Sequence, residues 1–367
     1  LTSVHYFVMF NDNEHILLLN KNWGKSMARE HIENEILQLA LEALKKNLQM
    51  HVEVETMKQD YKADRLLRIV LQGREMRFYA EVKATLNKAG IALLQIQKGK
   101  YPQQMLLVTR YVHGQMAEQL KQDGIEFIDT AGNVYINQPP IFIFIKGNRP
   151  PETFAQIPLK RAFQPMGLKV IYAFLCNAGL ENKPYREIAA TADVALGTVG
   201  WQMRELKELG YLLDMGKQGN KIIQRENLFQ RWVTAYPEKL RPKLMLGRFR
   251  GDEDWWQQKT LDPVHIQWGG EVAAAKLTKY LKPQIITIYT TLQHLNQLLI
   301  ENRLRKDPMG DVEILERFWQ PEEAWPYEDM VHPILVYADL IATGNQRNIE
   351  TAKVIYEQYI VRLVRED

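Results

Sequence analysis

Residues 184–212 read PYREIAATADVALGTVGWQMRELKELGYL. Pro184 can open a helix at its first turn. Ile188 and Ala189 give that helix apolar positions, and Ala192-Asp193-Val194 interrupts it. A second helix is predicted from Leu196 to Leu209, closed by Gly210. In it Val199, Met203 and Leu206 recur at i, i+4 and i+7, which makes one buried face. The opposite face carries Gly197, Thr198, Trp201, Arg204 and Glu208. Two helices joined by so short a turn predict a helix-turn-helix, whose second helix enters the major groove of DNA. Thr198 is then placed for bases or phosphates. Arg204 supplies a forked donor for guanine or phosphate. Trp201 reads either as a DNA contact or as a contact with another domain. Gly197 and Gly200 cost roughly 1 kcal/mol each relative to Ala in a helix. Their use is a close backbone approach to DNA or to another helix.

The flanks complete the unit. Upstream, Leu168, Ile171, Tyr172 and Leu175 form one face of a preceding helix that ends near Gly179, with Cys176 read as core. Downstream, Tyr211-Leu212-Leu213 and Ile222-Ile223 flank a turn from Met215 to Asn220. They read as a β-wing whose Lys217, Gln218, Asn220 and Lys221 can grip phosphates. Residues 151–227 are therefore expected to form a winged helix-turn-helix DNA-binding domain. The charge agrees. The chain carries +3 overall, yet Ala155 to Arg250 holds 16 Lys and Arg against 8 Asp and Glu. The remainder holds 31 against 36. Such a local basic surplus is what a polyanion-binding module requires.

Before the linker Asn148-Arg149-Pro150-Pro151, residues 27–150 show a different pattern. A helix is predicted over 28–46, then strands at 52–56, 65–72 and 75–84, with Gly73-Arg74 as a hairpin turn. Further strands and a helix from His113 to Gln122 follow. A turn at Gly73-Arg74 pairs Asp64 with Lys83 and Leu66 with Glu81. Glu81 and Lys83 share a face because side chains alternate along a strand. Two carboxylates, Asp64 and Glu81, can hold Mg²⁺, and Lys83 can position a water or offset phosphate charge. Glu33 or Glu35 is a further candidate ligand. The element order and these residues resemble the PD-(D/E)xK nuclease core. That resemblance implies a restriction-endonuclease-like α/β domain with Asp64, Glu81 and Lys83 as its catalytic centre. A plain salt-bridge set on a hairpin has the same residues. Residues 1–26 read as a lead-in before a start at Met27, without the pattern of a secretory signal.

From 228 to 367 helical and strand-like stretches alternate. Strands are predicted near 243–249, 285–289, 312–318 and 334–338, and helices over 271–281 and 348–364. This is a C-terminal α/β or α+β domain, so the whole chain is expected to be multidomain, α/β and α+β. Apolar residues make up 46% of the 367 and charged residues 25%, an ordinary globular balance. No apolar run reaches the roughly 18 to 20 residues of a membrane span. The single cysteine permits no internal disulfide, and a cytoplasmic location is the default. The eight histidines lack metal-ligand spacing.

PYREIAATADVALGTVGWQMRELKELGYL is followed by LRPKLMLGRFRG (240–251), WGGEVAAAKLTKYLKP (268–283), NRLRKDPMGDVEILERFW (302–319) and ILVYADLIATGNQRNIETAKVIYE (334–357). From about Ala131 to the C-terminus these stretches resemble bacterial transcriptional regulators of the AbiEi antitoxin type, from type IV toxin–antitoxin systems. Upstream, LLVTRYVHGQMAEQLKQDGIEFIDTAGNVYI (106–136) and AEVK (80–83) look like the nuclease-like domain joined to such proteins. The resemblance implies a winged helix that represses its own operon on operator DNA. It also implies a C-terminal domain that counters a nucleotidyltransferase-like toxin without needing to touch it. Better-known members place the winged helix at the N-terminus, whereas here a nuclease-like segment precedes it. Three hypotheses follow. One is an autoregulating antitoxin, as a homodimer if the operator is palindromic. Another is a Mg²⁺-dependent endonuclease targeted by its winged helix. The last is a nucleotide or RNA handler with Asp339 and the Gly344-Asn345 turn at its site.

Overall fold

Met76, Phe78, Ala80 and Val82 alternate along one strand, and that alternation sets the layering of the N-terminal part. The structure, a computed structural model, describes residues 32–48, 51–55, 65–71, 73–98, 104–149, 161–252, 254–257, 259, 261–320 and 329–365, with backbone alone at 51–55 and Arg65. After helix α1 (32–48) come β1 (His51–Glu55), β2 (Arg65–Leu71) and β3 (Arg74–Lys83), paired antiparallel. Helix α2 (Lys88–Gln97) crosses over to β4 (Gln104–Thr109), and α3 (Gly114–Gln122) to β5 (Glu126–Asp129). Both crossovers make parallel neighbours, β3 with β4 and β4 with β5, which a tight hairpin cannot do. β6 (Val134–Gln138) and β7 (Ile141–Ile145) then add antiparallel strands. Over the described residues the sheet has seven strands in chain order. α1 packs Ile36, Leu37, Ala40 and Leu41 on the face of Phe78, Ala80 and Val82. Leu94 of α2 and Leu120 of α3 cover the other face with Met105, Leu107 and Phe127.

The hairpin register differs from the sequence expectation. Leu66 pairs with Tyr79, not Glu81, and Leu71 with Arg74. The turn therefore lies between Leu71 and Arg74, with Gly73 in the left-handed position at φ +77 that a tight hairpin turn favours. The pairing moves by two residues, an even number, so every side chain keeps its face. Asp64 lies outside the described residues.

The middle part has α4 (Pro165–Cys176), α5 (Tyr185–Thr191) and α6 (Leu196–Glu208), followed by a ribbon of β8 (Leu212–Asp214) and β9 (Asn220–Ile222). The long α7 (Arg225–Lys239) buries Leu228, Phe229, Trp232, Val233 and Tyr236. A turn of helix, α8 (Arg241–Leu244), delays the strand expected at 243–249, and β10 runs Met245–Arg250. The C-terminal sheet comprises β10, β11 (Ile266–Gly269), β12 (Ile286–Thr290), β13 (Arg305–Lys306) and β14 (Val312–Glu316). Its order is β11-β12-β14-β10-β13, and only β12 and β14 run parallel. Helices α9 (Gly270–Thr278), α10 (Leu292–Glu301), α11 (Pro333–Thr343), α12 (Gln346–Ile355) and α13 (Val361–Val364) complete the part.

The strand expected at 334–338 is instead the first half of α11. Every residue from Pro333 to Ile341 is buried, so the helix lacks the polar stripe that would mark a 3.6-residue period. α11 packs on α7, α9 and α12, and α2 reaches both α7 and α11. Ala89, Ala92 and Leu93 of α2 thereby join one core with the middle and C-terminal parts. No helix among the described residues is long and apolar enough to cross a membrane.

Candidate nucleic-acid interface

Helix α6 is held from behind. Val199, Met203 and Leu206 are buried against α4 and α5, each contributing about 1.5–3 kcal/mol. Gln202 shares that face, and its Nε2 donates to the Ala162 carbonyl at 3.4 Å. The turn between α5 and α6 passes through Asp193, whose φ of +49 is a left-handed conformation that short polar residues tolerate. Lys169 of α4 pins it, with Nζ 3.1 Å from Asp193 Oδ2. Gln320 N–H donates to the Thr191 carbonyl at 3.3 Å, which ties the loop after β14 to the end of α5. Between them is an open cavity of about 510 Å³ bordered by Met166, Ala190, Val194 and Gln320.

The outward side of α6 carries the residues named from the sequence. Arg204 is exposed, and Thr198 and Trp201 are half-buried. At Gly197 an added Cβ would meet nothing, and at Gly200 it would meet only the Tyr185 ring at an ordinary 3.8 Å. Among the described residues, neither glycine is required by a close approach of another helix. On the ribbon Lys217 and Lys221 are exposed. Among the described residues, Arg204, Lys217 and Lys221 form no ion pair, whereas nearby Lys207 pairs with Asp214 at 2.7 Å. Asn220 Nδ2 donates to the Glu181 carbonyl at 3.4 Å.

At the end of β3, Glu81 and Lys83 do share a face, with Lys83 Nζ 2.5 Å from Glu81 Oε1. Glu81 is buried. Thr109 and Asp129 continue the row on β4 and β5. Asp129 accepts the backbone N–H groups of Val112, Ala131 and Asn133, so its oxygens serve the loop that follows β5. α1 lies on the opposite face of the sheet, so Glu33 and Glu35 start from the far side. No group of three or more His, Cys, Asp or Glu among the described residues is placed to hold a metal. Asp64, the other carboxylate expected to hold Mg²⁺ beside Glu81, lies outside the described residues.

In the C-terminal part the sequence pointed to Asp339 but not to its partners. Asp339 accepts from Arg241 Nε at 3.1 Å and from Tyr289 OH at 2.9 Å. Tyr236 OH lies 3.1 Å from the same carboxylate and 2.6 Å from Tyr289 OH. Arg241 also bridges to Glu313 at 2.7 Å. Burial pushes the Asp339 carboxyl up, against the opposing pull of Arg241 and the two tyrosines. Burial also holds both phenols well above their ordinary value. This is an internal network linking α7, α8, β12, β14 and α11. Gly344 ends α11 at φ +65 and Asn345 caps α12, so that turn is a helix corner. The partners of Asp339 lie 50 to 103 residues away, beyond any local motif.

With this geometry in view, one comparison is informative. Residues 221–361 match a family described as "Transcriptional regulator, AbiEi antitoxin, Type IV TA system". The match supports an AbiEi-type antitoxin over that span. It begins on β9 and runs through α7, the C-terminal sheet and α12. The buried Arg241–Asp339–Tyr289 network lies wholly inside the AbiEi span, whereas α5 and α6 precede it. No curated protein and no solved structure matches the chain.

Proposed function

We propose that the protein is a DNA-binding transcriptional regulator, the autoregulating antitoxin of a type IV toxin–antitoxin system. The observation that carries this is α6, buried on its Val199–Met203–Leu206 side and presenting Thr198, Trp201 and unpaired Arg204 outward. Three helices and a two-stranded ribbon in this order are the parts of a winged helix-turn-helix, with α6 as recognition helix. Arg204 contacts guanine or phosphate, Thr198 contacts bases or phosphates near the start of α6, and Lys217 and Lys221 grip the backbone. The AbiEi match supports the regulator and antitoxin roles through the C-terminal part. That part acts against a nucleotidyltransferase-like toxin, and a homodimer reads the two halves of an operator.

Replacing Arg204 by Ala tests the assigned face. A bidentate base contact supplies about 1–3 kcal/mol of discrimination. Arg204→Ala is therefore expected to weaken binding to the DNA upstream of its operon by roughly 5- to 150-fold in a fluorescence anisotropy titration. Unchanged affinity there would show that α6 does not face the bases.

A second reading, a Mg²⁺-dependent endonuclease, draws on the helix–three strands–helix–strand order and on Glu81 beside Lys83 at the end of β3. Asp64 is its remaining ligand. The internal Glu81–Lys83 pairing favours instead a nuclease fold used as a DNA-binding or structural platform.

A further inference from the structure

The connection between α4 and α5 reaches across to the ribbon. Asn182 Oδ1 accepts the backbone N–H of Asn220 at 2.5 Å, and Asn182 Nδ2 donates to the Asn220 carbonyl at 2.8 Å. One side-chain amide thus pairs both backbone groups of the first residue of β9, as a neighbouring strand would. Gly219 has φ +84, and a Cβ there would collide with Asn182 Oδ1. The backbone conformation and the amide both require glycine at this point. The other strand is tied to α6 through Lys207 and Asp214, and Asp214 Oδ1 accepts the N–H of Gly216 at 3.0 Å. The ribbon itself pairs only Leu212 with Ile222, Leu213 with Lys221 and Asp214 with Asn220. A two-stranded ribbon of that length is not stable alone, so these outside ties fix where it points.

We infer that Asn182 and Gly219 are positioning residues that hold the ribbon so that Lys217 and Lys221 meet the phosphates of a DNA duplex. This rests on the DNA-binding function proposed above. The ribbon's ligand is the phosphate backbone, gripped without regard to sequence, while α6 reads the bases. Sequence alone leaves the pair unseen, because Asn182 and Asn220 are 38 residues apart and each reads as an ordinary turn residue.

The test uses the full chain and a fluorescein-labelled, mixed-sequence duplex of about three helical turns, titrated by anisotropy from about 50 to about 200 mM salt. The Lys217→Ala/Lys221→Ala variant lowers the slope of log affinity against log salt by about two. Asn182→Ala and Gly219→Ala each lower it in the same direction and weaken binding about tenfold, with melting curves showing a folded chain. Asn182→Ala added to the double lysine variant changes nothing further. Should Asn182→Ala not fold, Asn182→Ser breaks the amide pairing and carries the same expectation. A folded Asn182→Ala with the wild-type slope overturns the inference, as does a further loss on the double lysine background. A wild-type chain that shows no salt-dependent DNA binding overturns the DNA reading itself and this inference with it.

Discussion

His332 shows how burial decides a protonation state. It caps α11, with Nδ1 accepting the N–H of Ile334 at 3.2 Å. Burial pulls its pKa from 6.5 down to about 3. The unfolded chain therefore binds one more proton than the folded one between those values. Stability from this group is complete above about pH 6.5 and falls by about 1.4 kcal/mol per pH unit as pH drops through that window. His332→Asn, which keeps a capping acceptor but does not titrate, is expected to lose about 2–3 kcal/mol less than wild type between pH 6.5 and 4.5 in urea unfolding. Parallel acid losses in the two proteins would mean that His332 is protonated in the folded state. Asp339 behaves differently at the same scale. Its carboxylate is buried but has Arg241 and two phenols to answer it, so removing one partner strands the others.

Among the elements, α7 joins the middle part to the C-terminal part. Trp232 Nε1 donates to the Leu168 carbonyl of α4 at 2.9 Å, and its ring stacks on Tyr172 and Tyr236 at 5.5 and 5.0 Å. Four residues on, Tyr236 reaches the Asp339 network. Trp232→Ala is expected to cost about 3–5 kcal/mol, read as a lower urea midpoint. A change below about 1 kcal/mol would mean that α7 does not carry the junction. The elements also show where the sequence was readable. The α6 face was legible because one side is buried and the other wet, which prints a 3.6-residue period at Val199, Met203 and Leu206. α11 was not, because Ile334 to Ala338 is buried on all sides and reads equally as a strand. The face shared by Glu81 and Lys83 was legible from alternation, whereas the hairpin register was not. That register hung on whether Gly73 opens or closes the turn, and its positive φ appears only in three dimensions. The partners of Asp339 and Asn182 come from distant segments, and no local pattern announces such pairs.

At the scale of the molecule, one of the cores among the described residues runs from α2 through the helix–ribbon unit to the C-terminal helices. Asn87 Nδ2 donates to the Thr234 carbonyl at 3.0 Å, which fastens α2 to α7. Gln320 meets the end of α5 from the other direction. The end of α5 is thus tied to the part that matches the AbiEi family. The central claim is that the chain binds operator DNA through α6 and regulates rather than cuts. A footprint of the full chain on the DNA upstream of its own operon, taken with Mg²⁺ present, tests this directly. The account predicts a discrete protected stretch on intact DNA, lost in Arg204→Ala. Strand breaks that depend on Glu81, or uniform weak protection along the whole fragment, would contradict it.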